Sequence, residues 1–232
     1  MDRSCEVWSA STDLLRPAHA ALLHHRERAR AERLSQPGDR ARSLLAAALV
    51  RLVGARALDL DPLDRETVRN IDVDRRCPSC AQPHGKPAVG DGIHLSVSHA
   101  TELVVVAVTR VAPVGVDIEA TTRGAQARIA ARWACAAEES AQIADERDAL
   151  RYWIRKEAIV KATGEGLAAP LADVRVSSPR EPARFLRWSG RPDPACTLID
   201  LNPPDGYMGS LAVLSDGPLD VIERAADDLL AA

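Results

Sequence analysis

Apolar positions recur at helical spacing from about Ala18 to Arg56. The pattern breaks at Gln36-Pro37-Gly38, turn chemistry that separates two helices and leaves Asp39 as the cap of the second. Residues 75–92 carry Pro78, Pro83, Gly85, Pro87, Gly90 and Gly92 and read as an irregular connection. The period then changes. Ile93 to Ser98 alternates apolar and polar, Leu103 to Val108 is a β-branched run, and His99 to Glu102 reads as the turn between them. After Ala112-Pro113, Val114 to Glu119 reads as a third strand, so the simplest arrangement is a meander of three antiparallel strands. Residues 125–163 return to helical spacing, with Gly164 and Gly166 as the stop, and Leu171 to Leu214 is short strand-like pieces among prolines. Helices followed by strands thus occur twice, which predicts an α+β chain of two similar halves, 1–112 and 113–232.

Composition changes this picture in one respect. The 232 residues are 46% hydrophobic and 27% charged, enough to bury a core without disulfides or structural metal. A formal charge of −3 excludes a surface coated in positive charge, so nucleic acid is not an expected partner. That small total hides eight arginines between residues 26 and 56 and an acidic tail from Asp216 onward. Of the 30 basic residues all but three are arginine, and the exceptions, Lys86, Lys156 and Lys161, mark positions where a compact ammonium is wanted. Five scattered cysteines, no apolar leader in the first twenty residues and no apolar run near 20 residues predict a reducing, cytoplasmic setting away from membranes. Cys77 and Cys80 with His84 have half the spacing of a zinc site, but a second ligand pair is missing, so they read as loop thiols.

The chemistry concentrates in two places. Asp117 and Glu119 lie two apart on a strand and share one face, with Val116 and Ile118 on the other. Two carboxylates so placed repel unless a cation sits between them, and hard oxygens suit Mg²⁺ or Mn²⁺ rather than zinc. Read alone, such a pair is more often a solvated strand end. On the later helix, Leu150, Trp153, Ile154, Glu157, Val160 and Lys161 fall on one face, so Glu157 projects from an apolar stripe one turn before Lys161. That is either an i,i+4 ion pair or a carboxylate held for a metal or a proton. Ser98-His99 ends a strand where an anion finds a hydroxyl, an imidazole and backbone N–H groups, and Gly85-Lys86-Pro87 sets a lysine in a rigid turn.

In order, Gly85-Lys86-Pro87, Leu95 to His99, Gly115-Val116-Asp117-Ile118-Glu119, Trp153 to Lys161 and Thr163 to Leu167 resemble the motifs of the 4′-phosphopantetheinyl transferases of the larger, surfactin-synthetase type, over roughly residues 26–170. The resemblance implies a pseudo-dimeric fold, each half a helix packed on a small antiparallel sheet, with coenzyme A and Mg²⁺ in the cleft between them, in a monomer with an internal pseudo-twofold. It implies that Asp117, Glu119 and Glu157 hold the metal, that Glu157 is also the base for the acceptor serine, and that Lys161 neutralises the pyrophosphate. It further implies contacts to coenzyme A from Arg30, Ser43, Lys86, Ser98 and His99. The implied partner is an acidic apo carrier protein. Trp133-Ala134-Cys135 departs from the paired aromatics usual before the signature helix, so docking of that partner falls to Leu, Ile and Trp. No role is implied for Lys156. The same carboxylates also suit a Mg²⁺-dependent nucleotide pyrophosphate hydrolase, and a module that binds without turnover is the third reading.

Overall fold

The computed structural model describes residues 3–77, 80–83, 85–166 and 169–231; His84 of the cysteine loop and Leu167 of the glycine motif lie outside them. The chain divides into two compact units, one of residues 4–110 with 221–231, the other of Arg3 with residues 111–220. Among the described residues no helix is long and apolar enough to cross a membrane.

In the first unit β1 (Ser4–Ser11), α1 (Pro17–Ala21), α2 (His25–Glu32), α3 (Pro37–Ala57) and α4 (Arg65–Asn70) precede the hairpin of β2 (His94–Ala100) and β3 (Leu103–Thr109). The turn at Pro37 is where α3 starts. Pro37 takes the first helical position, Gln36 is the N-cap, and Asp39 bonds Arg42 in the first turn instead of capping. β2 runs on through His99 and Ala100, so the turn shrinks to Thr101-Glu102, with Thr101 at φ +45. The expected three-strand meander does not form. β3 pairs with β2 on one edge and with β1 on the other, Cys5 opposite Thr109 and Ser11 opposite Leu103, giving the order β2-β3-β1-β9 with β9 (Asp220–Ala225). All seven residues of β3 are buried, so both its edges and both its faces must be covered. The chain supplies one edge from a strand about a hundred residues earlier, which local alternation does not report. α3 packs on this sheet through Leu45, Leu49, Leu52 and Val53, and α8 (Asp227–Leu230) closes the cluster with Leu229 and Leu230.

In the second unit β4 (Val114–Ala120) is followed by α5 (Gly124–Ala134), α6 (Ala137–Ser140) and α7 (Glu146–Thr163). Then come β5 (Val174–Val176), β6 (Phe185–Trp188), β7 (Thr197–Leu201) and β8 (Tyr207–Val213). β4 pairs antiparallel with β8, and β8 with β7; β5 and β6 form a separate hairpin. α7 begins at Asp145, whose side chain accepts from Asp148 N–H, and ends at Gly164 in the left-handed region at φ +80. Its inner face, with Leu150, Ile154, Ala158 and Ile159, packs in one cluster with Leu198, Met208 and Ala212 of the sheet. Each unit is thus helices laid on a small antiparallel sheet, an α+β fold.

Candidate functional site

The close seating of α7 on β4 depends on the absence of a side chain. Gly115 points at the helix, and a methyl there would overlap Ala158 O, the Ala162 backbone nitrogen and the Lys161 carbonyl carbon. Side chains alternate along a strand, so Asp117 and Glu119 share the face of Gly115, toward α7, while Val116 and Ile118 are buried on the other. The glycine that opens this motif is therefore a contact requirement, which strand alternation alone does not reveal.

Glu157 and Lys161 lie one turn apart on α7, both half-buried at the edge of its buried face. Lys161 Nζ donates to Asp117 Oδ1 at 2.6 Å, so its ion pair is made across to the strand, beyond the expected i,i+4 partner on its own helix. Asp117 is 5% exposed. Burial, then the charge of Asp117, pushes the Glu157 carboxyl up to about 7, against the lowering effect of Lys161. Burial and then Asp117 likewise raise the Glu119 carboxyl, against Arg123 and Lys161. The three carboxylates therefore feel one another, and the paired cation, Lys161, does not cancel them.

That surplus of negative charge on hard oxygens fits Mg²⁺ or Mn²⁺ in kind. Among the described residues, however, no three His, Cys, Asp or Glu side chains are drawn together into a closed metal cage. Magnesium is commonly held by one or two carboxylates together with substrate phosphates, so an open carboxylate set is consistent with a metal that arrives with an anionic substrate.

The remaining expected residues lie in the other unit. Arg30, on α2, donates to Pro83 O at 3.2 Å, which ties it to the loop that carries Lys86. Burial lowers the Lys86 ammonium to about 8, and Lys86 helps lower His94. Ser43 sits on α3 beside Arg42, which reaches Thr101 O at 2.5 Å in the turn that follows Ser98 and His99. Ser98 is buried and His99 exposed. Arg75 was not singled out from the sequence; it is half-buried, and its guanidinium is lowered by burial and by the charge of Arg30.

Lys156, the lysine without a role, has no exposed surface. Its Nζ donates to Glu139 Oε2 at 2.5 Å, to Ala134 O at 2.9 Å and to Leu171 O at 3.1 Å. Glu139 in turn accepts from Ala136 N–H and Val176 N–H. Lys156 is a structural cation that joins α7 to the end of α5, to α6 and to the turn at Leu171, and through Glu139 to β5. The five cysteines form no disulfide, and burial pushes Cys135 up to about 11 and Cys5 and Cys196 up to about 12.

Comparison with known proteins points the same way. The profile of the 4′-phosphopantetheinyl transferase superfamily matches residues 113–212, the stretch that carries β4, α7 and β8. The 4′-phosphopantetheinyl transferase HetI of Nostoc sp. is 29% identical over 210 residues, covering 85% of this chain and 81% of that protein. A Synechocystis sp. protein, slr0495, provisionally described as a 4′-phosphopantetheinyl transferase, is 29% identical over 223 residues, 89% of this chain and 86% of its own.

Proposed function

We propose that this chain, similar to the 4′-phosphopantetheinyl transferase superfamily, transfers the phosphopantetheine arm of coenzyme A to a carrier protein and that the reaction is carried by Asp117, Glu119, Glu157 and Lys161. The observation that supports this assignment is the seating of α7 over Gly115, which sets Glu157 and Lys161 against the two strand carboxylates. Asp117, Glu119 and Glu157 are the residues that would hold Mg²⁺, which when bound neutralises the pyrophosphate oxygens of coenzyme A.

The protein's own share of the chemistry is positioning, charge and one proton. Glu157 takes the proton of the acceptor serine as that oxygen attacks the phosphorus bearing pantetheine, directly or through one water. The bond to the departing phosphate breaks and its electron pair leaves with 3′,5′-ADP. Burial and the neighbouring carboxylates raise this carboxyl in the metal-free site, and a cation held by the same carboxylates would lower it again and keep it ionised to receive the proton. Lys161, already oriented by Asp117, stabilises the leaving charge. Arg30, Ser43, Lys86, Ser98 and His99 are assigned to the nucleotide and phosphates of coenzyme A.

The acceptor is assigned to the outer face of α5. Arg128 and Arg132 are exposed there beside Ile129 and Trp133, which are 66% and 57% exposed, and this helix has no acidic residue. Trp133 meets Trp153 edge-on at 5.5 Å, and Trp153 stands one turn before Glu157. An acidic carrier with an apolar contact strip fits this surface. The test incubates coenzyme A, Mg²⁺ and several apo carrier proteins and weighs the carriers. A phosphopantetheine mass gain with the parent and none with folded Glu157→Gln is expected; no gain on any carrier sinks the reading, and full activity in the variant sinks the role of Glu157.

A further inference from the structure

The two residues before Glu157 are both cations, and neither Arg155 nor Lys156 has any exposed surface. Successive helical residues leave the axis 100° apart, so the two reach different neighbours. Lys156 runs to α5 and α6, as described. Arg155 runs to the sheet: Nε donates to Asp200 Oδ1 at 3.0 Å and Nη2 to Asp200 Oδ2 at 2.6 Å. Its remaining donors are taken by the carbonyls of Ser177, Ser178 and Glu181 at 3.0, 2.9 and 2.8 Å. Asp200 also accepts from Arg151 at 2.7 Å and from Ser210 Oγ at 2.9 Å.

Ser210 of β8 is the register partner of Asp200 on β7 and of Asp117 on β4. Asp117, Ser210 and Asp200 therefore form one polar row across the sheet, and α7 lies over it with Lys161 paired at one end and Arg155 at the other. Over the strand that carries Asp117 the contact is Gly115 against backbone atoms of Ala158, Lys161 and Ala162, which permits close approach, while the apolar packing of α7 on the sheet comes from Leu150, Ile154 and Ile159. A buried ion pair adds little net stability over apolar residues of the same volume, and its best-attested use is to specify one arrangement among several.

We propose that Asp200 is a positioning residue for the transfer reaction: by holding Arg155 it fixes the rotation of α7 about its axis and with it the place of Glu157 relative to Asp117 and Glu119. The inference rests on the assignment of those carboxylates above. With a side-chain end about 6 Å from the axis, a turn of about 10° moves it by about 1 Å. A displacement of that size costs on the order of 10²-fold in rate.

The test compares the parent with Asp200→Asn and with the double variant Arg155→Met/Asp200→Leu, each shown to unfold cooperatively. Turnover is measured against coenzyme A, and Mn²⁺ binding is measured by electron paramagnetic resonance without carrier. In Asp200→Asn, kcat falls by about 10–100-fold while KM for coenzyme A stays within about threefold, and Mn²⁺ binds about tenfold more weakly. The double variant regains the parent's melting temperature but keeps both defects, because apolar packing restores stability without the angular lock. Loss of stability alone in Asp200→Asn, with kcat per folded molecule and Mn²⁺ affinity unchanged, overturns the proposal, as does recovery of both by the double variant. If Asp200→Asn does not fold, the double variant decides by the same two readouts. A parent that fails to transfer but binds Mn²⁺ with the expected differences among variants overturns the assigned function and leaves the positioning role standing; a parent that does neither overturns both.

Discussion

Lys156→Met isolates a fully buried electrostatic commitment in the second unit. The ammonium is 0% exposed and the Glu139 carboxylate 5% exposed, and the pair is joined at 2.5 Å. Burial lowers the Lys156 pKa against the pull of Glu139. Methionine fills a similar volume, so the loss is electrostatic rather than a cavity. Left behind are a buried carboxylate with only the Ala136 and Val176 N–H groups as donors among the bonds described, and two carbonyls, of Ala134 and Leu171, that lose this donor. Breaking a buried pair on one side costs about 3–5 kcal/mol, a large part of the roughly 5–15 kcal/mol that holds a typical domain together. Urea unfolding of the parent and of Lys156→Met at pH 7.5, followed by tryptophan fluorescence, measures it. The control is Lys156→Met/Glu139→Gln, which removes the stranded charge but keeps an acceptor for one N–H, and is expected to recover more than half of the loss. A single-variant loss below about 1 kcal/mol, or a double variant no better than the single, would refute the structural role of Lys156.

Gly115→Ala places a methyl against backbone atoms of Ala158, Lys161 and Ala162, which cannot rotate away. A melting temperature lowered by several degrees and at least tenfold lower transfer are expected; parent-like values would show that α7 does not need the close approach. Glu157 links stability to pH with a definite sign. Its folded pKa of about 7 lies above the ordinary 4.5, so the folded protein holds a proton that the unfolded chain releases, and stability falls as pH rises through that window. With divalent metal chelated, Glu157→Gln should gain on the parent by about 2 kcal/mol between pH 5.5 and 8.5, and a constant difference across that range would contradict the burial of this carboxyl.

The helices of residues 125–163, the strand Val114 to Glu119 and the stop at Gly164 were legible because hydrophobic period, β-branching and a left-handed glycine are local properties. The carboxylates Asp117, Glu119 and Glu157 were legible for the same reason, since spacing alone fixes which side chains share a strand face or a helix face. The partners of each element were not. β4 pairs with β8 instead of β3, β1 takes the free edge of β3, and Lys161 pairs with Asp117, across 44 residues of chain. Such contacts depend on which edges and faces remain uncovered after the whole chain has packed, a property no short window contains.

The three lysines show the division most plainly. Their rarity among arginines singled them out in the sequence, and helical pitch put Lys161 on the face of Glu157. Pitch equally put Lys156 about 100° away, and there it could say nothing further. Only the packed fold shows that this direction leads into a buried space between α5, α6 and the turn before β5, where a carboxylate and two carbonyls meet a compact three-donor cation. A buried charge is tolerated only where its partners converge, and those partners come from residues 134, 139 and 171, brought together by tertiary packing alone.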